Sequence, residues 1–268
     1  MSFNKILFST CLSACLMIAA PALADKEAFL QQGHAKLHEG KTDEAIALYK
    51  QALAEDPTYK PAKSSLENAL QKQAVQEFTK TLPENCRTIS KQLETNFDCA
   101  QQYFTVGGEP VNARVVQQML TWISDKGNLV TSINLIAAQH SNQFFTGDTT
   151  TSITRSGTFF TVKLQEKPKT SDRTGPAWFS YTVQGKTQTG VFVITTAEND
   201  SGGGTYDNGR IIFVRLDKAA TLTENGMVLD DVSLVKLNEF SGTASNIKIT
   251  GNVVSWHNKN GEHSIDAE

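Results

Sequence analysis

The chain has 268 residues, of which 39% are hydrophobic and 20% charged, and its formal net charge is −3. That balance argues against nucleic acid as a partner, because phosphate backbones call for a basic face. The length is sufficient for two modest domains, each with its own core.

Residues 1–24 read MSFNKILFSTCLSACLMIAAPALA. Lys5 is their one charge, an apolar run begins at Ile6, and Ala22-Leu23-Ala24 fits a small-residue cleavage site. The pattern predicts a secretory signal peptide over 1–24. Leu12-Ser13-Ala14-Cys15 resembles a bacterial lipobox, so a lipid anchor at Cys15 is the lesser alternative to cleavage after Ala24. Cleavage would take away Lys5 and no acid, moving the net charge to −4. No second long apolar run follows, so no membrane span is expected. The expected location is periplasmic or secreted.

Residues 25–80 are predicted to be helical. Phe29, Leu30, Leu37, Ala45, Ile46, Leu48, Tyr49, Ala52 and Leu53 recur at spacings of three and four. This periodicity predicts helices over 26–38 and 42–55, each with one buried stripe. Gly40 should end the first. Thr42 should cap the second, with Asp43 and Glu44 favouring its dipole. Pro57 should stop it. Leu66, Ala69, Leu70, Gln73, Val75 and Phe78 then suggest another helix.

Phe29, Gly33, Ala35, Gly40, Ala45, Tyr49, Ala52 and Pro57 stand at the spacings of a tetratricopeptide repeat, which residues 28–57 therefore resemble. Gln32 and Lys36 depart from its usual leucine and aromatic. The resemblance implies two antiparallel helices that approach at small residues, with Phe29 and Tyr49 filling the gaps. It also implies a protein-binding groove lined by Leu30, His34 and Leu37, with Glu27 at its rim. The competing reading packs Leu30 and Leu37 on the following helix or domain and leaves His34 in solvent. Repeats of this kind need about three units to bury their flanks, and one is present. The uncovered flank would be met by the C-terminal domain, by self-association or by a partner.

Residues 81–125 form a junction. Cys86 and Cys99 are the cysteines that lie beyond the signal. In an oxidising compartment such a pair is expected to form a disulfide. A continuous helix would hold them roughly 20 Å apart, whereas a bridge needs Cα atoms within about 7 Å. Either the chain turns between them, at Asn96-Phe97-Asp98, or they are unpaired. Their spacing is not that of a C-x-x-C redox couple, and two thiols make a poor zinc site. Val115, Val116, Met119, Leu120 and Ile123 suggest a short amphipathic helix over 111–123.

From residue 126 to 268, Thr, Ser, Val and aromatics rise and turn residues recur, which predicts an antiparallel β domain. Strands are expected at 129–138, 158–166, 177–184, 189–197, 210–217 and 231–238. Val191–Ile194 and Ile211–Val214 are apolar on both faces and should be central, covered by a helix or a second sheet. Hairpin loops at Gly251-Asn252 and Asn260-Gly261 would pair Ile249 with Val254, Ile247 with Trp256, and Trp256 with Ile265. One face then holds Ile247, Ile249, Val254, Trp256 and Ile265. The same register sets His257 opposite Ser264 and His263 opposite Asn258. The two histidines then face opposite sides and share no metal.

Glu198–Gly204 resembles the nucleophile segment of trypsin-like proteases, and Ala137–His140 echoes their histidine segment. Ser201 activated by His140 would be the chemistry. Only 61 residues separate the two, and a Gly-rich connecting loop is the simpler account. Asp200, Asp207 and Asn208 are oxygen donors suited to calcium, without the ordered spacing of a known calcium loop. No catalytic residue, metal or cofactor is assigned.

The expected fold is α+β: a repeat-like helical hairpin with extra helices, then an antiparallel β sandwich or barrel. The expected function is that of an exported, non-catalytic protein–protein interaction or assembly protein. A small-ligand or lipid carrier acting through the β domain, and a hydrolase at the Ser201 loop, are the alternatives.

Overall fold

Helix α1 (Lys26–His38) and helix α2 (Thr42–Glu55) form an antiparallel hairpin. The computed structural model describes residues 26–120, 129–139, 149–156, 159–166, 177–199, 209–223 and 225–268. The signal segment with Cys15, as well as His140 and the 200–208 loop, lies outside the described residues. The chain divides into two compact units, 1–66 and 67–268, and the boundary falls inside helix α3 (Lys60–Lys80).

In the first unit, Gly40 (φ +77°) closes α1. Lys41 N–H donates to Lys36 O and Gly40 N–H to Leu37 O, a Schellman motif that satisfies the last carbonyls. The two helices meet where α1 has no side chain. A Cβ on Gly33 would lie 2.3 Å from Tyr49 Cε1, so the Tyr49 ring rests on the α1 backbone. Ala45, Tyr49 and Ala52 are fully buried. Thr42 does not cap α2. Lys41 holds the N-cap position without a side-chain bond, and the Thr42 hydroxyl is buried with no partner among the described residues. At the far end the Asp56 carboxylate accepts from Thr58 N–H and hydroxyl, forming an Asx turn past the helix.

The second unit adds a 3₁₀ turn (Glu84–Cys86), helix α4 (Leu93–Tyr103), and the short strands β1 (Thr105–Val106) and β2 (Glu109–Pro110). Helix α5 (Ala113–Gln118), strand β3 (Ser132–Asn134) and helix α6 (Leu135–Gln139) follow. Then come β4 (Thr149–Ser156), β5 (Phe159–Glu166), β6 (Trp178–Lys186), β7 (Phe192–Asn199), β8 (Arg210–Leu222) and β9 (Val228–Ser241). The chain ends in β10 (Ser245–Thr250), β11 (Val253–Asn258) and β12 (Gly261–Asp266). One antiparallel sheet runs in the order β3-β9-β8-β7-β6-β5-β4 and a second in the order β10-β11-β12. The larger sheet stays open, with β3 and β4 at its edges, so the expected alternative of a barrel is not what forms. The fold class is α+β.

β7 and β8 are central, which is why they are apolar on both faces. One face carries Phe160, Phe179, Tyr181, Phe192, Ile194 and Ile212 against α4 and α5. The Tyr181 hydroxyl donates to Val111 O beneath that layer. The other face carries Val191, Val193, Ile211 and Phe213 against Val254 and Trp256 of the smaller sheet. Phe213, Phe240 and Trp256 meet edge-on or tilted with centroids 5.1–5.9 Å apart, and each such pair adds about 0.5–1.5 kcal/mol beyond its burial.

Several local expectations are corrected. The Cys86–Cys99 disulfide forms, with Cα atoms 5.5 Å apart, but the chain does not turn at Asn96-Phe97-Asp98, which lies within α4. It turns before the helix, where the Asn96 amide exchanges two hydrogen bonds with the Ser90 backbone at 2.7 and 2.8 Å. The helix expected over 111–123 is Ala113–Gln118, started by the Asn112 side chain, which accepts from Arg114 N–H. The strand expected over 129–138 is three residues long and gives way to α6. Its cause is Asp231, whose carboxylate accepts from Ile136 and Ala137 N–H at 2.8 and 3.0 Å and so caps a helix. β4, read as TTTSITRS, was not expected.

The C-terminal register is corrected by two residues. Ile249 pairs with Val254 as expected. However, Trp256 pairs with His263 and His257 with Glu262, while Asn258 pairs with Gly261. The loop is Lys259-Asn260, because Asn258 Oδ1 accepts from Asn260 N–H and Gly261 takes φ +119°. A bulge between Ser245 and Lys248, with Asn246 at φ +52°, removes the expected Ile247–Trp256 pair. A slip of two leaves each side chain on its face, so Ile247, Ile249, Val254, Trp256 and Ile265 still share one cluster.

Candidate functional site

Glu27, Leu30, His34 and Leu37 stand at spacings of three, four and three, and so form one stripe along α1. The structure treats them unequally. Leu30 is buried and Leu37 half-buried, while Glu27 and His34 are exposed. His34 Nε2 sits 2.9 Å from Ser65 Oγ of α3, and its ring meets Tyr49 edge-on at 5.7 Å. The stripe is therefore partly used by its own unit: Leu30 joins the interior and His34 binds the start of α3.

Ion pairs fasten both ends of this hairpin. Lys26 Nζ lies 2.7 Å from Asp56 Oδ2 and 4.9 Å from the Tyr59 ring centre. Lys36 reaches Glu39 at 3.4 Å and Glu44 at 3.2 Å. The Lys26 hydrogen bond, followed by those from Thr58, holds the Asp56 carboxyl at about 2. Charges at the two ends of the hairpin are thus compensated by these pairs.

In the second unit, Lys236 has a side chain 6% exposed. Its ammonium donates to Met119 O at 2.5 Å and Glu239 Oε2 at 2.8 Å, and Arg210 pairs with the same carboxylate. Burial pushes the Glu239 carboxyl up, but the bonds from Lys236 and Arg210 outweigh it and hold the group below its ordinary range. A cavity of about 480 Å³ opens beside this triad, lined also by Leu120, Leu129, Thr131 and Leu237. The carboxylate of Glu239 thus answers both cations.

The outer face of β10–β12 holds a cavity of about 540 Å³ with Lys248, Ser255, His257, Glu262 and Ser264 on its walls. Trp256 and His263 also line this cavity; His263 pairs with Trp256 across the strands, stacks on the indole at 5.3 Å and has Nε2 2.9 Å from Asn258 Oδ1. The two histidines thus face opposite sides. Among the described residues no three His, Cys, Asp or Glu side chains gather as a metal would need. No described helix is long and apolar enough to cross a membrane. Ser201, His140, Asp200, Asp207 and Asn208, on which the hydrolase and calcium readings depend, lie outside the described residues.

Sequence reasoning missed one surface. It placed strands at 210–217 and 231–238 and passed over the residues between. The structure continues both strands to a hairpin tip where Leu222, Met227, Val228 and Leu229 are 71, 54, 69 and 50% exposed. The available signal was Asn225-Gly226, a turn dipeptide between Leu222 and Met227-Val228-Leu229. Comparison with protein-family models, curated proteins and solved structures finds no match to this chain.

Proposed function

We propose that this protein is an exported, non-catalytic interaction or assembly factor whose helical hairpin acts as a single tetratricopeptide-like unit. The observation that carries the reading is the contact of Gly33 with Tyr49. A glycine that admits an aromatic ring from the second helix, followed by a glycine-closed turn, is what the repeat pattern requires of those positions. The exposed side of α1 at Glu27 and the half-buried Leu37 would meet a protein partner, beside His34, which is held on Ser65. The Cys86–Cys99 bridge supports an oxidising location outside the cytoplasm. Self-association through the same flank is the simplest competing use of the hairpin.

The test is crosslinking of the full chain in its native envelope, followed by mass spectrometry. A Glu27→Arg/Leu37→Glu variant should lose at least one specifically crosslinked protein while keeping its secondary structure. Capture of the same proteins by both forms would refute the assignment. A crosslink only to a second copy would favour self-association.

A further inference from the structure

The edge of a β-sheet presents backbone N–H and C=O groups that another strand can take up, and folded proteins blunt such edges with short strands, bulges, proline or charge. The seven-stranded and three-stranded sheets end in β3, β4, β10 and β12, and three of these edges are blunted. β3 has three residues. β10 is broken by the bulge between Ser245 and Lys248 and carries that lysine. β12 carries Glu262 and Asp266, both exposed, and antiparallel self-pairing about Ser264 would set one acid against the other. β4 has none of these devices. Its eight residues, TTTSITRS, contain no proline, glycine, lysine or acid. Its pairing with β5 runs unbroken from Thr149↔Glu166 to Ser156↔Phe159. Among the described residues no strand lies on its other side.

The two faces of β4 follow from its partner strand. Thr151, Ile153 and Arg155 stand opposite Leu164, Val162 and Phe160, which are buried in the layer beneath the helices. Ile153 is half-buried against that layer, and the Arg155 guanidinium lies 5.4 Å from the Phe78 ring centre. Ser152 and Thr154 belong to the other face and are exposed. Four threonines and an isoleucine make β4 a strong strand former. It is thus a regular strand with one side paired and the other unguarded.

We propose that β4 is a self-association edge: β4 of one chain pairs antiparallel with β4 of a second copy, so that two seven-stranded sheets join into one. A two-fold register centred on Ile153 sets Ile153 opposite Ile153, Ser152 opposite Thr154 and Arg155 opposite Thr151. Directly opposite residues share a face, so the two inner layers continue on one side of the joined sheet and Ile153 gains apolar cover. Arg155 falls opposite a threonine, so no like charges meet, in contrast to self-pairing of β12. A single strand pair is small against the roughly 1,000 Å² of a lasting interface. The dimer is therefore reversible, with a Kd between about 1 μM and 1 mM. This edge belongs to the second unit and does not depend on the function proposed for the helical hairpin.

Sedimentation of the full exported chain across that concentration range should show a monomer–dimer equilibrium, with hydrogen exchange slowing over residues 151–155 as the dimer forms. Ser152→Glu/Thr154→Glu alters two exposed side chains and sets acids opposite each other across the two-fold axis. Ser152 stands opposite Lys163 of its own chain, so an acid there is compatible with the fold, which circular dichroism checks. This variant should associate about tenfold more weakly, and so should Ser152→Lys/Thr154→Lys. Mixing the two variants should restore a dimer at least as tight as the unsubstituted one. The Glu27→Arg/Leu37→Glu variant of the hairpin should associate as the unsubstituted chain does. A chain still monomeric at about 1 mM, a dimer indifferent to the β4 charges, or oppositely charged variants that fail to combine would overturn the proposal. So would loss of the dimer in the hairpin variant, or exchange that slows only in other elements.

Discussion

Gly33→Ala puts the helical hairpin to a test in which two effects have opposite signs. In an exposed helix interior, replacing Gly by Ala stabilises by about 1 kcal/mol. At Gly33 the new Cβ would sit 2.3 Å from Tyr49 Cε1, 2.7 Å from Cδ1 and 3.0 Å from Cζ. Those are ring atoms of a fully buried side chain, not the end of a mobile one, so α1 or the ring must shift. Forcing a group into a packed interior costs about 1–3 kcal/mol. The net expectation is a loss of about 0–2 kcal/mol, where an open site would gain. Tyr49→Leu vacates the space, so Gly33→Ala made in that background should recover its helical gain. The coupling between the two positions should be at least 1 kcal/mol. Urea unfolding followed by far-ultraviolet circular dichroism measures each corner of the cycle, and hydrogen exchange in α1 localises it to the first unit. A gain of about 1 kcal/mol from Gly33→Ala alone would refute the close approach and, with it, the structural basis of the repeat-like reading.

Three further outcomes are expected. Cys99→Ala, or reduction of the bridge, should cost about 3 kcal/mol, as for a loop of this size, read as a lower urea midpoint of the second unit. Asp231→Ala strands the Ile136 and Ala137 amides and the Thr221 hydroxyl, and should cost about 2–4 kcal/mol, with exchange in α6 accelerating first. The Asp56 carboxyl titrates at about 2 in the folded hairpin against an ordinary 3.8. Its folded value is depressed, so its contribution is complete above the ordinary value and disappears as pH falls toward 2. Exchange protection at the α1 start and α2 end should fall across that window, and Asp56→Asn should remove the dependence.

Elements whose cause is local were readable in the residues. The α1–α2 hairpin follows from three- and four-residue spacing and from Gly40, which alone satisfies the turn. The central place of β7 and β8 follows from Val191–Ile194 and Ile211–Val214 being apolar on both faces, since only strands covered on both sides need that. What covers them was open, because helices and a second sheet leave the same trace in a buried strand. Elements fixed by distant partners were misread. Residues 135–139 look as strand-like as helical until the carboxylate of Asp231, far along the chain, accepts from the Ile136 and Ala137 amides. The β11–β12 register turned on whether Asn258 or Asn260 directs the loop, and a slip of two residues leaves the hydrophobic pattern unchanged.

The candidate surfaces divide along the same line. On α1, spacing places Glu27, Leu30, His34 and Leu37 on one stripe, but it does not reveal how much of that stripe the first unit keeps. Leu30 goes to the interior and His34 to Ser65 because α3 begins beside α1. The β8–β9 arm illustrates the opposite failure. Leu222 and Val228 face one side of the arm and Leu229 the other, and the apolar residues give no sign of whether a neighbouring strand covers them. Only the length of the neighbouring strands exposes them: β7 starts too late and β3 is too short to accompany the hairpin to its end. Apolar side chains that a sheet would normally cover are thus left exposed on a two-stranded projection.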